Sequence, residues 1–241
     1  MNMQTTRVFR HELKYVINTR DKETIKARLS PLMQLDSNAQ KGHYKIRSVY
    51  FDDYWNTAYL DKMRGIQHRK KYRIRFYDDD DSRINLECKT KNGRYIFKRS
   101  APLTKEETDG ILNGNYEFLL RKNNDLCTEM YMHCVSRVLR PCCIVDYERE
   151  PYFYQSGDVR VTFDSDIRSA SMFPNVFEPN LPVIHVLDPG RLVMEVKFTA
   201  FLPSLIKKAL PVPASEYQAF SKFTNCYEKA ASFNPLMKNY I

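Results

Sequence analysis

Residues Lys70–Lys98 read KKYRIRFYDDDDSRINLECKTKNGRYIFK, and the stretch divides into three strands and two turns. Tyr72, Ile74 and Phe76 alternate with Lys71, Arg73, Arg75 and Tyr77. Ile84, Leu86 and Cys88 alternate with Asn85, Glu87 and Lys89, and Tyr95 and Phe97 then alternate with Ile96 and Lys98. Successive side chains on a strand point to opposite faces, so each segment has one apolar and one charged face. Asn92-Gly93 between alternating runs is a strong hairpin signal. The acidic run Asp78–Asp81 with Ser82 reads as a polar turn in preference to a metal site. Paired antiparallel, the three strands stack Arg73, Arg75, Glu87, Lys89 and Lys98 on one surface.

The same alternation extends outward. Arg7–Ile17 is a strand with Val8, Arg10, Glu12 and Lys14 on one face and Phe9, His11, Leu13, Tyr15 and Ile17 on the other. Asn18 or Thr19 caps a helix from about Asp21 to Met33. His43–Asp52 is a second strand with Lys45 and Arg47 on one face, and Tyr54–Met63 a short helix or turn. Thr104 with Glu107 opens a helix through Leu112 as a capping box. A helical stretch to about Leu139 follows, with Leu119, Leu120, Leu126, Met130, Val135 and Val138 as its core side. Cys142–Tyr154, Asp158–Ile167 and Arg191–Phe198 are strands, and Met172–Pro189 is a surface connection. The segment Ser204–Phe233 is helical, broken near Pro211 and Pro213, with Ser215 capping its last helix. With no repeat and no linker, residues 1–241 read as one domain.

The chain has 241 residues, 43% hydrophobic and 13% aromatic, enough to bury a core. Its net charge of +9 calls for an anionic partner: nucleic acid, an anionic membrane surface or small polyanions. Six cysteines without CxxC spacing make neither a zinc framework nor an evident disulfide scaffold, which suits a reducing compartment. The N-terminal residues lack the apolar core of a signal peptide, and no run reaches the ~20 apolar residues of a spanning helix. These features predict a cytoplasmic location. Trp55 and most of the tyrosines alternate into apolar faces and read as core.

Eight strands carry charges at alternating positions: Glu12 and Lys14, Lys45 and Arg47, Arg73 and Arg75, Glu87 and Lys89, Lys98 alone, Arg149 alone, Arg160 and Asp164, Glu195 and Lys197. Two arrangements produce this pattern. One is an ordinary sheet with its charged face in water. The other closes the sheet into a barrel, charges inside and apolar faces outside under helices. Like charges gathered in a lumen need an anion among them, and a phosphate chain suits because one guanidinium gives each phosphoryl group two hydrogen bonds.

Arg10-x-Glu12-x-Lys14-Tyr15, Tyr50–Asp52 (YFD), KYRIR, LECK, Tyr147-x-Arg149, Arg160-x-Thr162-x-Asp164, MEVK and Ser221-Lys222-Phe223 occur in that order along the chain. Together they resemble the polyphosphate-polymerase (VTC-type) domain of the triphosphate tunnel metalloenzymes, relatives of the CYTH phosphatases. The resemblance implies an α+β fold, an eight-stranded antiparallel β tunnel (barrel) with helices packed on the outside. It implies a metal-dependent phosphotransferase of polyphosphate kinase type, passing the γ-phosphoryl group of ATP to a growing polyphosphate chain. The implied catalytic residues are Arg73, Arg75, Lys89, Arg149, Arg160 and Lys222. Substrate contacts extend to Lys14, Lys45, Arg47, Lys98, Tyr147, Lys197 and Ser221; Glu195 matches the family's metal-binding glutamate, and Glu12 or Glu87 would help it hold Mn²⁺ or Mg²⁺. The hydrolytic relatives carry Glu-x-Glu-x-Lys on the first strand, and Arg10 replaces the first glutamate, as in the polymerase branch.

No GxxxxGK[ST] phosphate loop is present, so strand-borne Arg and Lys would act as the electrostatic clamp. No side-chain nucleophile is evident. Two other readings stay open: a tripolyphosphatase or nucleoside triphosphatase on the same tunnel, and a non-catalytic polyphosphate- or polyanion-binding domain. ATP and inorganic polyphosphate are the expected partners, with no nucleic acid, no membrane span in this chain, and a membrane partner and the oligomeric state left open.

Overall fold

The three strands of the opening stretch pair as their alternation requires. In the computed structural model, which describes residues 11–39, 41–93, 95–170, 175–199, 201–210, 216–217 and 220–233, β4 is His68–Tyr77, β5 Asp80–Asn92 and β6 Tyr95–Leu103. Arg73 lies opposite Glu87, and Lys89 opposite Lys98. The β4–β5 turn is tighter than the acidic run suggested. Only Asp78 and Asp79 make it, both with positive φ (53° and 56°), while Asp80 and Asp81 already belong to β5. Two positive-φ residues are what a two-residue hairpin turn needs to match the twist of its strands.

The chain is α+β, and the described residues form two compact units. The first comprises residues 1–44, 149–165 and 187–220. It contains β1 (His11–Asn18), α1 (Thr19–Leu29), the two-residue β2 (Gln34–Leu35), β10 (Arg191–Phe198), α6 (Ser204–Ala209) and the two-residue β11 (Glu216–Tyr217). Asn18 caps α1, its side chain accepting from the Asp21 N–H at 2.8 Å. The strand order is β11-β1-β10-β8-β7, with β2 on β7. Strands β7 (Arg140–Tyr154) and β8 (Val159–Ala170) run through both units. Ile17, Val161, Phe163, Met194 and Val196 pack with Ile25 and Leu29 of α1 and Ile206 of α6. That puts both helices on the apolar face of this sheet.

The second unit comprises residues 45–148, 166–186 and 221–241, with strand order β7-β3-β4-β5-β6. It contains most of β3 (Tyr44–Asp52), α2 (Thr57–Met63), α3 (Lys105–Leu112), α4 (Phe118–Arg121), α5 (Asp125–Arg137), β9 (Ile184–His185) and α7 (Lys222–Phe233). The Thr104–Glu107 capping box is formed in full at α3. Val49, Phe51, Ile74, Phe76, Leu86 and Ala101 meet Ile111, Leu119, Leu126 and Met130 in one core. Helix α7 differs from the others. Its Phe223 stacks on Tyr50 at 5.0 Å, and Tyr50 lies opposite Arg73 on the charged face.

The eight strands of eight residues or more are those expected from alternation. Other expectations are corrected. Leu120 and Val135 are exposed instead of core, because α4 and α5 turn only one side to the sheet, and Val138 is exposed one residue past the end of α5, in the left-handed conformation (φ 52°) that stops it. Trp55 is exposed and lies under the Arg137 guanidinium, 5.9 Å from its ring centroid. Tyr95 and Phe97 are exposed as well. Arg10, Pro211, Pro213 and Ser215 lie outside the described residues. All six cysteines are free and buried, and no helix among the described residues is long and apolar enough to cross a membrane.

Candidate functional site

In the second unit, cross-strand register assembles the charged face in rows. Ser48, Arg75 and Asn85 form one row, Tyr50, Arg73 and Glu87 the next, and Lys71, Lys89 and Lys98 the third. Three lysines directly opposite one another on adjacent strands repel, an arrangement a sheet carries only at a cost. The neighbouring groups partly offset it. Arg73 donates to Glu87 through Nε at 2.7 Å and pairs through Nη2 at 2.5 Å, and its Nη1 donates to the Tyr50 hydroxyl at 3.0 Å. Lys98 donates to the other oxygen of Glu87 at 2.9 Å. Arg75 Nε donates to Ser48 Oγ at 3.1 Å.

Burial alone would raise the Glu87 carboxyl, but the charges of Arg73 and Arg75 and the hydrogen bonds from Lys98 and Arg73 outweigh it and hold it near a pKa of about 2. Burial also works against the Arg73 charge, yet Tyr50, Glu87 and Tyr147 together raise its pKa. The Tyr50 phenol is buried, which favours its neutral form, and the charges of Arg73, Arg75 and Lys89 still pull its pKa below the ordinary value. The face is therefore electropositive enough to stabilise negative charge on a neighbouring group. Helix α7 adds to it. Lys71 Nζ lies 4.5 Å from the Phe223 ring centroid, and Lys222 Nζ lies 4.9 Å from that of the buried Tyr147. The Ser221 hydroxyl accepts from the Thr224 N–H at 3.4 Å, at the start of the helix.

In the first unit a second charged face forms by the same logic. Lys14, Glu195 and Thr162 make one row across β1, β10 and β8, and Glu12, Lys197 and Arg160 the next. Lys14 bridges Glu12 at 3.0 Å and Glu195 at 3.4 Å. Lys197 reaches Glu195 at 3.0 Å and Arg149 reaches it at 3.7 Å. Arg149 also holds the buried Asp164 with two parallel hydrogen bonds of 2.7 Å. Arg160 pairs with Asp36 at 3.4 Å. Here acids and bases alternate, whereas the face of the second unit is dominated by bases.

The donor chemistry of the two faces differs in what it offers a divalent cation. Both Glu87 oxygens are engaged by Arg73 and Lys98 at 2.7 and 2.9 Å, whereas the cations around Glu195 stand at 3.0 to 3.7 Å. Glu12 and Glu195 share the Lys14 ammonium, a cation held between two carboxylates. Thr162 Oγ1, on the residue opposite Glu195, is buried without a hydrogen-bond partner among the described residues. Hard oxygen donors of this kind fit Mg²⁺ or Mn²⁺, which bind through one or two carboxylates plus substrate phosphates. Among the described residues no group of three or more His, Cys, Asp or Glu is placed to hold a metal unaided.

Lys45 and Arg47 stand apart. Arg47 lies opposite Phe76 on the apolar side of β3 and is wholly buried. It donates to Asp146 at 2.9 Å and to the carbonyls of Val176 and Glu178 at 2.9 and 2.7 Å. Lys45 reaches Asp79 at 2.8 Å and Asp146 at 3.5 Å. Counting charges at i and i+2 placed these two on the functional face, but the register puts Ser48 and Tyr50 there instead. Ser48, Tyr50, Lys71, Thr162 and Phe223 also belong to these surroundings, though none was named as a candidate site residue from the sequence. Ser48 was visible only as an uncharged alternate position of its strand, whereas Tyr50, Lys71, Thr162 and Phe223 stood inside the quoted motifs.

The VTC domain family matches residues 9–231. No curated protein matches the chain. Among solved structures, a candidate adenylyl cyclase from Hippeastrum, described as having a dominant triphosphatase activity, is 13% identical with a TM-score of 0.53, over 90% of this chain and 95% of that one. A candidate adenylate cyclase from Bacillus halodurans is 12% identical with a TM-score of 0.43, over 97% of this chain and 89% of that one. The Hippeastrum likeness shows a shared fold.

Proposed function

The chain belongs to the VTC domain family, a branch of the triphosphate tunnel superfamily, and from that premise we propose that it is a polyphosphate polymerase, moving the γ-phosphoryl group of ATP to the end of a polyphosphate chain. The observation that carries this reading is the row Lys71, Lys89 and Lys98 in register beside Arg73 and Arg75. Positive charge concentrated this way is costly without an anion, and a triphosphate supplies negative charge at matching density. Arg73, Arg75, Lys89 and Lys98 would bind the phosphates, with Lys222 and Ser221 contributed by α7. Arg149, Arg160, Lys14 and Lys197 would bind phosphate on the other face.

In the transfer the bond between the γ-phosphorus and its bridging oxygen breaks, a terminal polyphosphate oxygen bonds to that phosphorus, and ADP leaves. The protein's part is to align donor and acceptor and to neutralise charge on the equatorial oxygens. Glu195 and Glu12 would hold Mg²⁺ or Mn²⁺, which when bound neutralises phosphate charge. The fold shared with the Hippeastrum protein supports a second reading in which water is the acceptor and the chain is a triphosphatase.

Incubation with ATP and Mn²⁺ separates the two: long chains on a stained gel support the polymerase, free phosphate alone the hydrolase. Arg75→Ala should abolish either turnover with the fold intact, and near-normal ATP consumption would refute the clamp. Glu195→Gln should lose metal-dependent turnover while still retaining tripolyphosphate in a filter-binding assay. Turnover in that variant at the parental Mn²⁺ concentration would exclude Glu195 as a metal ligand.

A further inference from the structure

Just after the turn at Asn92-Gly93, three consecutive apolar side chains stand in water. Tyr95, Ile96 and Phe97 are 42%, 41% and 40% exposed, at the start of the last strand in the order of the second unit. Phe97 lies opposite Thr90 and Ile96 opposite Lys91, so the three point to both faces of the hairpin. A partner protein docked on one face would leave the other wet. A medium that surrounds the hairpin end covers both.

A second loop presents the same chemistry. Met63 and Ile66 are 56% and 42% exposed, and the Gly93 N–H donates to the Gln67 carbonyl at 3.1 Å, tying this loop to the hairpin turn. The Arg69 guanidinium donates to the Ile66 carbonyl, which fixes the loop further. Positive charge borders the apolar group: Arg64 follows Met63 in the loop, and Lys91 lies across from Ile96. Lys91 has no acidic partner among the described residues. Single exposed apolar residues are ordinary on a protein surface, but a cluster flanked by basic residues is the pattern of an interfacial membrane anchor.

We propose that the β5–β6 hairpin end, together with the Met63–Gln67 loop, is a docking surface for an anionic lipid bilayer. Tyr95, Ile96 and Phe97 enter the boundary between headgroups and acyl chains, while Arg64 and Lys91 meet the lipid phosphates. Tyr95 and Phe97 point away from the side that carries Lys98, which Ile96 shares, so replacing Tyr95 and Phe97 leaves the phosphate-binding face in place and tests the surface independently of the reaction assigned above.

The test uses the full chain carrying Trp55→Phe and Phe97→Trp, so that the single indole reports from the hairpin. With phosphatidylcholine vesicles containing phosphatidylserine, emission should shift to the blue, and lipids brominated near the headgroup should quench it; phosphatidylcholine alone should do neither. In the otherwise native chain, Tyr95→Ser with Phe97→Ser should lower vesicle pelleting by about tenfold or more, and Lys91→Gln by about fivefold, the effect of one basic residue at an anionic surface. ATP turnover should be unchanged in the double serine variant, and Ile66→Ser provides the same reading if that variant does not fold. Pelleting that survives Tyr95→Ser with Phe97→Ser would show attraction by charge alone and overturn insertion. A dimer seen by sedimentation equilibrium, abolished by those serines in a chain that ignores vesicles, would assign the surface to a second copy and overturn the lipid reading.

Discussion

Replacing Glu87 with Gln tests whether this buried carboxylate is the counter-charge of the basic face or a ligand for metal. Its folded pKa of about 2 lies below the ordinary 4.5. At ~1.4 kcal/mol per unit, the difference corresponds to about 3 kcal/mol of stability. The same order follows from removing one partner of a buried ion pair, ~3–5 kcal/mol. The sign is set by the depressed folded pKa: the contribution is complete above pH 4.5 and disappears as pH falls through about 2. Urea unfolding followed by circular dichroism should therefore show Glu87→Gln less stable than the parent by about 3 kcal/mol at neutral pH, with the gap narrowing steadily on acidification. Because the variant frees Arg73 and Lys98, it should also bind tripolyphosphate several-fold more tightly in metal-free buffer. An equal loss of stability at neutral and strongly acid pH would mean that shape or hydrogen bonding, not charge, is at stake. Weaker tripolyphosphate binding without metal would refute the counter-charge role.

Asp146→Ala removes one of the two carboxylates that hold the buried Arg47, Asp79 at 3.2 Å being the other, and should cost about 3 kcal/mol by chemical denaturation, leaving tripolyphosphate affinity unchanged below the unfolding transition. Lost affinity at full stability would return Arg47 and Lys45 to the binding face. Thr104→Ala removes the α3 cap, whose hydroxyl accepts from the Glu107 N–H at 3.2 Å. It should cost about 1 kcal/mol with turnover intact, and a loss of turnover instead would tie α3 to the reaction.

Alternation of the kind seen around Arg73, Arg75, Glu87 and Lys89, repeated along the chain, was enough to locate eight strands, because the two-residue period of a strand is a local property that survives any tertiary setting. The capping box at Thr104 and Glu107 is equally local. Arg47 shows where such reading ends. Its charge at i+2 from Lys45 marked a polar face, yet pairing with β4 sets it against Phe76 and beside Asp146. A one-residue difference in assumed facing moves every side chain of a strand to the other side of the sheet, and only the partner strand decides it. Leu120 and Val135 failed for a related reason, since helical spacing does not say which side a short helix turns to the sheet. The residues themselves determined the strands, the helix starts and the wealth of cations. The tertiary structure alone decided which cations share a face, because cross-strand neighbours are far apart in the chain and no local pattern encodes their register.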